Sequence, residues 1–563
     1  MFRSARTIGA LVAVALLAGC ATVPTSGPVD RHTPQATGVN SGVRIDPLPP
    51  ADGASPLLVV EGFLHAMSVY QPDYAVARQY LTPSASAAWH PESGVQVYAD
   101  GVPPAEYGLS APMTGTIDAD GVYRPGPGTV RTHNFQLVKD DGAQWRISNP
   151  PEGLLVSRYV FTTGFAAVSL HFLDRSGTTL VPDPRYFATG DQALEEAARA
   201  QLAGPSAWLA PAVRSLDLAG VGVASVTVDD EGTAVVVLDG AASSLDAEAR
   251  RDVLAELTYT LTGFAQVSAV QVSAAGQVWR DDSGQAVVRP QAFSALSPSG
   301  SPSRVLYLVR EHKLARIRDT TTWGDPTPVD TGLSRPEQVA VSPDLTQVAA
   351  TTQGATRLEA GQAGTDKARV VRTGTGLLRP VFARNGELWS PAASGASALE
   401  VYKGEQKLKV VVDGVPAQRV RAFALSPDGS RAALILMQGD VSSVGLVRVE
   451  RTDGAIAITG WQSIDLALNP GSAATSLDIG WSSPTQLGVL RTSDSQTGVV
   501  QLAQDGSVAT DIGPSEDAEL SRLAVAPGGP AVALGANGDV YRLGGEFNWN
   551  LAPTGVDAVA YSG

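Results

Sequence analysis

The chain has 563 residues and a formal net charge of −15, with 44% apolar and 17% charged side chains. That length accommodates three or four domains of ~150 residues and buries several cores. The acidic balance, with Lys and Arg scattered singly, excludes attraction to nucleic acid or anionic lipid headgroups by charge.

Arg3 and Arg6 precede Ile8 to Ala18, an unbroken run of eleven small and apolar residues. A membrane-spanning helix needs ~20, so residues 1–19 read as a signal peptide. Leu17-Ala18-Gly19-Cys20 is the pattern cut by a lipoprotein signal peptidase. Cys20 is then the new N-terminus, an S-diacylglycerol and N-palmitoyl cysteine. Each buried methylene contributes ~0.8 kcal/mol, so the lipid alone anchors the chain at the extracytoplasmic face of the cell membrane. Cleavage removes Arg3 and Arg6, taking the charge from −15 to −17. Cys20 is the single cysteine, so the mature chain has no disulfide, thiol nucleophile or Cys-based zinc site.

Residues 20–54 carry Pro24, Pro28, Pro34, Pro47, Pro49 and Pro50 and no apolar period, which predicts a flexible tether. Ser55-Pro56 opens a helix with Val59, Val60, Phe63, Leu64 and Met67 on one face. A second short helix is predicted from Asp73 to Leu81. Strands follow at Gly94 to Tyr98, Val130 to Val138 and Gln144 to Ser148, the last two joined through Asp140-Asp141-Gly142. Residues 55–151 thus form an α+β domain. Helices before a curved antiparallel sheet, with Tyr80-Leu81-Thr82-Pro83 closing the helical part, resemble the NTF2-like cone.

Residues 154–280 predict an α/β domain: a strand at Ala167 to Leu173, a helix at Asp191 to Ala203 stopped by Gly204-Pro205, and a hairpin of Val223 to Val228 with Thr233 to Leu238. A helix capped by Ser244 or Asp246 carries Leu245, Ala249, Val253, Leu257 and Leu261, and Val267 to Val272 returns as a strand. Phe172-Leu173-Asp174, Leu202-Ala203-Gly204-Pro205-Ser206, Val226 to Asp239 and Leu257 to Val272 resemble the GerMN domain of sporulation proteins. That resemblance implies no catalytic residues.

Residues 281–290 read as a linker, and residues 291–563 change character. Taking Pro298, Pro343, Arg384, Pro427, Pro484 and Pro527 as equivalent turn positions, the steps are 45, 41, 43, 57 and 43. That is the period of a β-propeller. Six blades are favoured and seven stay open, with Val556 to Tyr561 completing the first blade. Ser-Pro-Asp-Gly is a turn device, Pro fixing φ and Gly permitting φ > 0.

No chemistry stands out. Of the histidines His32, His65, His90, His133, His171 and His312, none pairs at i, i+4, and there is no Gly-x-Ser-x-Gly elbow, P-loop or Rossmann glycine run. Asp118 and Asp120 with Gly121 suggest a hairpin turn before a calcium loop. No catalytic, cofactor-binding or metal-binding residue is assigned, and no cofactor. Trp461, Trp481, Trp549 and Tyr561 are candidates to line a ring-end pocket, with packing between blades the favoured role.

Leader, tether, α+β domain, GerMN domain and propeller, in that order, resemble the LpqB family of lipoproteins. The resemblance implies an accessory role in the MtrA/MtrB two-component system, by contact with the extracytoplasmic part of the sensor histidine kinase MtrB. The alternative is a cell-wall glycan or peptide binder, or a hydrolase, using the propeller end or the cleft between GerMN domain and propeller. Paired carboxylates distant in sequence leave the hydrolase open.

Overall fold

A computed structural model describes residues 46–563 apart from 301–303, 319, 321–322, 453, 465–473, 494–495, 515–517, 546 and 553. The leader, Cys20 and most of the tether lie outside the described residues. No described helix is long and apolar enough to cross a membrane.

The first helix spans Pro56–Ser68, with the Ser55 hydroxyl accepting from the Leu58 N–H and proline at the first position. Val59, Val60, Phe63 and Met67 bury its apolar face against a sheet centred on Gly94–Tyr98. The segment read as Asp73 to Leu81 is a 3₁₀ turn at Pro72–Tyr74 followed by one helical turn, Ala75–Arg78. The predicted strand Val130 to Val138 breaks at Gln136, whose φ is 48°. Its first part, Val130–Asn134, pairs with an eleven-residue strand, Gly108–Asp118, that the reading did not anticipate. Its second part, Leu137–Lys139, forms the hairpin with Trp145–Ile147, where Asp140 accepts from the Gly142 and Gln144 N–H groups.

Leu154, read as opening the second domain, belongs to the first. Leu154–Ser157 pairs in parallel with Gly94–Tyr98, and Leu154, Leu155 and Val156 join that core. The physical reason is burial: an unbroken apolar run fits a strand covered on both faces.

The second sheet orders Val223–Val228, Thr233–Leu238, Ala269–Ala274 and Gln277–Val278. Helices Ala193–Ala203 and Ala247–Leu261 pack into its core, the latter capped by Asp246, which accepts from the Ala249 N–H. A separate two-stranded ribbon pairs Phe165–Leu173 with Leu180–Ala188. The predicted linker at 281–290 is not free. Val288 bridges to Val270, and the 3₁₀ segment Pro290–Leu296 sends Phe293 and Leu296 into the second core. Two large apolar side chains leave water more favourably by docking there than by staying in a tether. Leu296 thus belongs to this core, and propeller strands begin at Leu306.

Among the described residues six four-stranded blades follow. Blade one is Leu306–Arg310, Lys313–Ile317 and Thr327–Pro328, completed by Ala558–Tyr561 at the inner edge through four antiparallel pairs. The inner strands of blades two to six are Gln338–Val341, Val381–Phe382, Arg419–Leu425, Ala474–Ser483 and Leu520–Ala524. The step of 57 between Pro427 and Pro484 contains the two longest outer strands of the ring, Val441–Thr452 and Ala455–Ile464 in blade four. Ala455–Ile464 also pairs in parallel with Gln406–Val412 of blade three, which joins the two blades into one eight-stranded sheet.

Candidate functional site

One side chain touches all three domains. Tyr186 lies on Leu180–Ala188 of the second domain, and its ring packs on Tyr123 at 5.8 Å and Phe161 at 5.1 Å from the first. Its backbone N–H donates to the Gly121 carbonyl at 2.8 Å. Its hydroxyl donates to Asp505 Oδ2 of the propeller at 3.0 Å and also bonds Ser507. Burial raises the Asp505 carboxyl and holds the Tyr186 phenol well above its ordinary range.

Arg431 is the second seam residue, wholly buried at the start of the second strand of blade four. Its guanidinium pairs with Asp428, donates to the Pro182 carbonyl of the second domain at 3.1 Å and to the Pro484 carbonyl at 3.0 Å, and bonds Gln504. It also lies 5.2 Å from the centre of the Trp481 ring. A buried cation is tolerable only with this many acceptors. Trp208 adds a third tie, donating through Nε1 to the Gly460 carbonyl at 2.6 Å. The expected cleft between GerMN domain and propeller is crossed at these points by direct bonds.

Two recesses among the described residues lie along the propeller axis. The one at the second-domain face, about 410 Å³, is bordered by the turn prolines Pro343, Pro427 and Pro527 and by Ser299 and Gly300 of the incoming chain. The opposite one is about 470 Å³. Arg379, Phe423 and Val339 line both. From blade three, Arg379 reaches Asp478 of blade five at 2.9 Å, the Ile479 carbonyl at 3.1 Å and the Leu523 carbonyl of blade six at 2.9 Å. It is a bar across the axis.

A third recess, about 590 Å³, opens in the second domain between Phe172, Leu202, Leu216 and Glu256. Glu256 accepts from the Leu173 N–H at 3.0 Å and the Gln201 amide at 3.2 Å. Burial pushes its carboxyl up to about 8 against those bonds. Behind it Gln201 Oε1 accepts from the His171 N–H and the Thr260 hydroxyl. Burial and then the Arg431 charge pull His171 down to about 3, so its ring is neutral.

Of the aromatic candidates, Trp481 and Tyr561 border the axial recess at the second-domain face; Trp461 and Trp549 do not line it. All four are packing residues: Trp481 donates to the Ala424 carbonyl, Tyr561 to Pro530 and Trp549 to Ile512, while Trp461 packs on the core shared by blades three and four. Asp118 accepts from the Asp120 and Val122 N–H groups and closes a turn. No group of three His, Cys, Asp or Glu among the described residues is placed to hold a metal. Cys20 lies outside the described residues. Sequence reasoning missed Tyr186, Arg431, Arg379 and Glu256. The one signal available was Arg431 itself, a charged residue placed where a buried strand begins after Ser426-Pro427-Asp428-Gly429.

Three family models match. Residues 49–162 match the N-terminal domain of lipoprotein LpqB, residues 169–278 a domain described as sporulation and spore germination, and residues 312–560 the lipoprotein LpqB beta-propeller domain. Lipoprotein LpqB of Cutibacterium acnes is 31% identical over 580 residues, covering 97% of each chain. That of Rhodococcus opacus is 29% identical over 598 residues, covering 98% of this chain and 96% of the relative. Among solved structures, TolB from Acinetobacter baumannii aligns at 17% identity and a TM-score of 0.34, covering 53% of this chain and 83% of that one. With all three regions matched in order and a relative above 30% along nearly its whole length, this chain belongs to the lipoprotein LpqB family.

Proposed function

We propose that this is a non-enzymatic lipoprotein, held at the extracytoplasmic face of the cell membrane through lipidated Cys20, that binds the extracytoplasmic part of the sensor histidine kinase MtrB. Through that contact it modulates MtrA/MtrB signalling in envelope homeostasis and division. The observation that carries the reading is membership of the lipoprotein LpqB family along 97% of the chain. Physically the reading needs little affinity. Anchoring both proteins in one membrane makes their encounter quasi-intramolecular, so effective concentrations reach the millimolar range and a weak contact suffices. The seam at Tyr186 and Arg431 supports it too, because a body locked across three domains presents one fixed surface to a partner and loses little freedom on binding.

Crosslinking in intact membranes followed by partner identification tests this. The kinase is expected among the crosslinked partners, and the purified mature chain is expected to bind the isolated ectodomain. No crosslink, together with no binding at high micromolar concentration, sinks the reading.

A further inference from the structure

The axial recess on the far side from the second domain has an uneven distribution of charge. It is reached at the beginnings of the inner strands, where Arg421 stands on blade four and Arg522 on blade six, with Glu337 ahead of blade two and Asp557 ahead of the closing strand of blade one. The third arginine there, Arg379, is committed to Asp478 and two carbonyls.

Arg421 and Arg522 are not committed. Neither makes an ion pair among the described residues; Arg421 donates to the Leu477 carbonyl at 3.1 Å and Arg522 to the Ser521 carbonyl at 3.0 Å. A guanidinium has five donors in a fork shaped for a carboxylate, so each keeps most of its capacity unused. Partial desolvation at the rim of the recess lowers the Arg421 pKa, and the charge of Arg522 lowers it further against the opposing pull of Asp478. Two like charges held at one recess in an otherwise acidic chain are relieved by a bound anion. On the other side, Asp557 also makes no ion pair among the described residues, and Glu337 accepts from the Gly354 and Ala355 N–H groups at 2.6 and 3.0 Å. Val339, Leu378, Phe423 and Leu477 supply apolar surface between the two sides.

We propose that this recess binds a short peptide with free termini, its carboxylate between Arg421 and Arg522 and its ammonium toward Asp557 and Glu337, with apolar side chains over Phe423 and Leu477. The cavity of about 470 Å³ lies within the ~300–1,000 Å³ of small-molecule sites. The site is independent of the kinase reading and stands or falls on its own measurement.

The test uses the detergent-solubilised full chain and an equimolar pool of tripeptides Ala-Xaa-Ala, Xaa being Ala, Val, Leu or Phe. The same pool is prepared as C-terminal amides and as N-acetyl peptides. Binding is read by saturation-transfer NMR and calorimetry. Free peptides are expected to bind, amidation to weaken them about tenfold or more through loss of the charge-assisted bonds, and acetylation several-fold. Both arginines are exposed, so the Arg421→Gln, Arg522→Gln double variant keeps its melting temperature and binds the free pool no better than wild type binds the amides. Equal affinity for all three pools, unchanged binding by the double variant, or no binding up to about 10 mM overturns the proposal. So does equally strong binding of acetate alone, which would make this a simple anion site.

Discussion

The Tyr186 hydroxyl stands 3.0 Å from Asp505 Oδ2, so a side chain of the second domain, packed against the first, ends in a buried carboxylic group of the third. Ser507 of the propeller completes the knot, its hydroxyl bonded to Tyr186 and its carbonyl accepting from Arg158 of the first domain at 2.9 Å. Tyr186→Phe keeps the ring and removes the bond; Asp505 retains the Ser507 N–H at 2.9 Å. The expected loss is ~1–2 kcal/mol. Tyr186→Ala also empties the space beside the stacked Tyr123–Phe161 pair and is expected to cost ~3–5 kcal/mol. Calorimetry checks both, and Tyr186→Ala is expected to separate the single melt into distinct domain transitions. One unchanged transition would remove the residue from its linking role.

Arg431 offers a sharper comparison. Arg431→Met leaves Asp428 buried without its cation and is expected to cost ~3–5 kcal/mol. Adding Asp428→Asn removes the stranded charge, so the double variant should be more stable than the single one, with a coupling of ~1–3 kcal/mol. Chemical denaturation of all four proteins measures it. Additive costs would mean that the pair contributes no coupling.

Glu256 predicts the pH dependence. Its folded carboxyl titrates at about 8 against an ordinary 4.5, so between those values the folded chain binds more protons than the unfolded one. Stability from this group is therefore largest below about 4.5 and falls as pH rises through about 8, by a few kcal/mol in order of magnitude. Glu256→Gln cannot ionise, and melting curves from pH 5 to 8.5 should show a flatter slope for it than for wild type. Superimposable slopes would place the ionisation elsewhere.

The anchor has its own test. Cys20→Ala leaves no thiol to acylate, and the variant is expected in the soluble fraction after membranes are washed. Wholly membrane-bound variant would mean that something other than the lipid retains it.

Much of the architecture was legible from periodicity. The hairpin through Asp229 follows from turn chemistry that needs no tertiary help: Asp229 accepts from the Glu231 and Thr233 N–H groups. Spacing alone gave the ring, because each blade repeats the same local turn before Val348, Ala432 or Val532 enters a buried strand. What escaped was long-range. Leu180–Ala188 contains Pro182 and Pro184, which argue against a paired strand, yet its nine pairs with Phe165–Leu173 form a two-stranded ribbon with no third described strand beside it, where proline is tolerated. The seam escaped for the same reason. Arg431 and Pro182 are 249 residues apart, and no local pattern encodes which distant carbonyl a guanidinium will meet. Arg421 and Arg522 resemble any exposed arginine until ring closure brings the blades together.

The pairing of Gln406–Val412 with Ala455–Ile464 has a consequence for how this molecule behaves in a crowded envelope. An outermost strand offers a row of unpaired amides and carbonyls on which a foreign strand can template. Two of the longest such rows in the ring, seven and ten residues, cover each other over four pairs, Lys409–Val412 with Ala455–Ile458. The outer strands left uncovered among the described residues run only two, six, three and four residues. The two-residue one includes Pro328, and the six-residue one carries Arg369 and Arg372. Self-association by strand addition is thereby blunted along the described part of the rim.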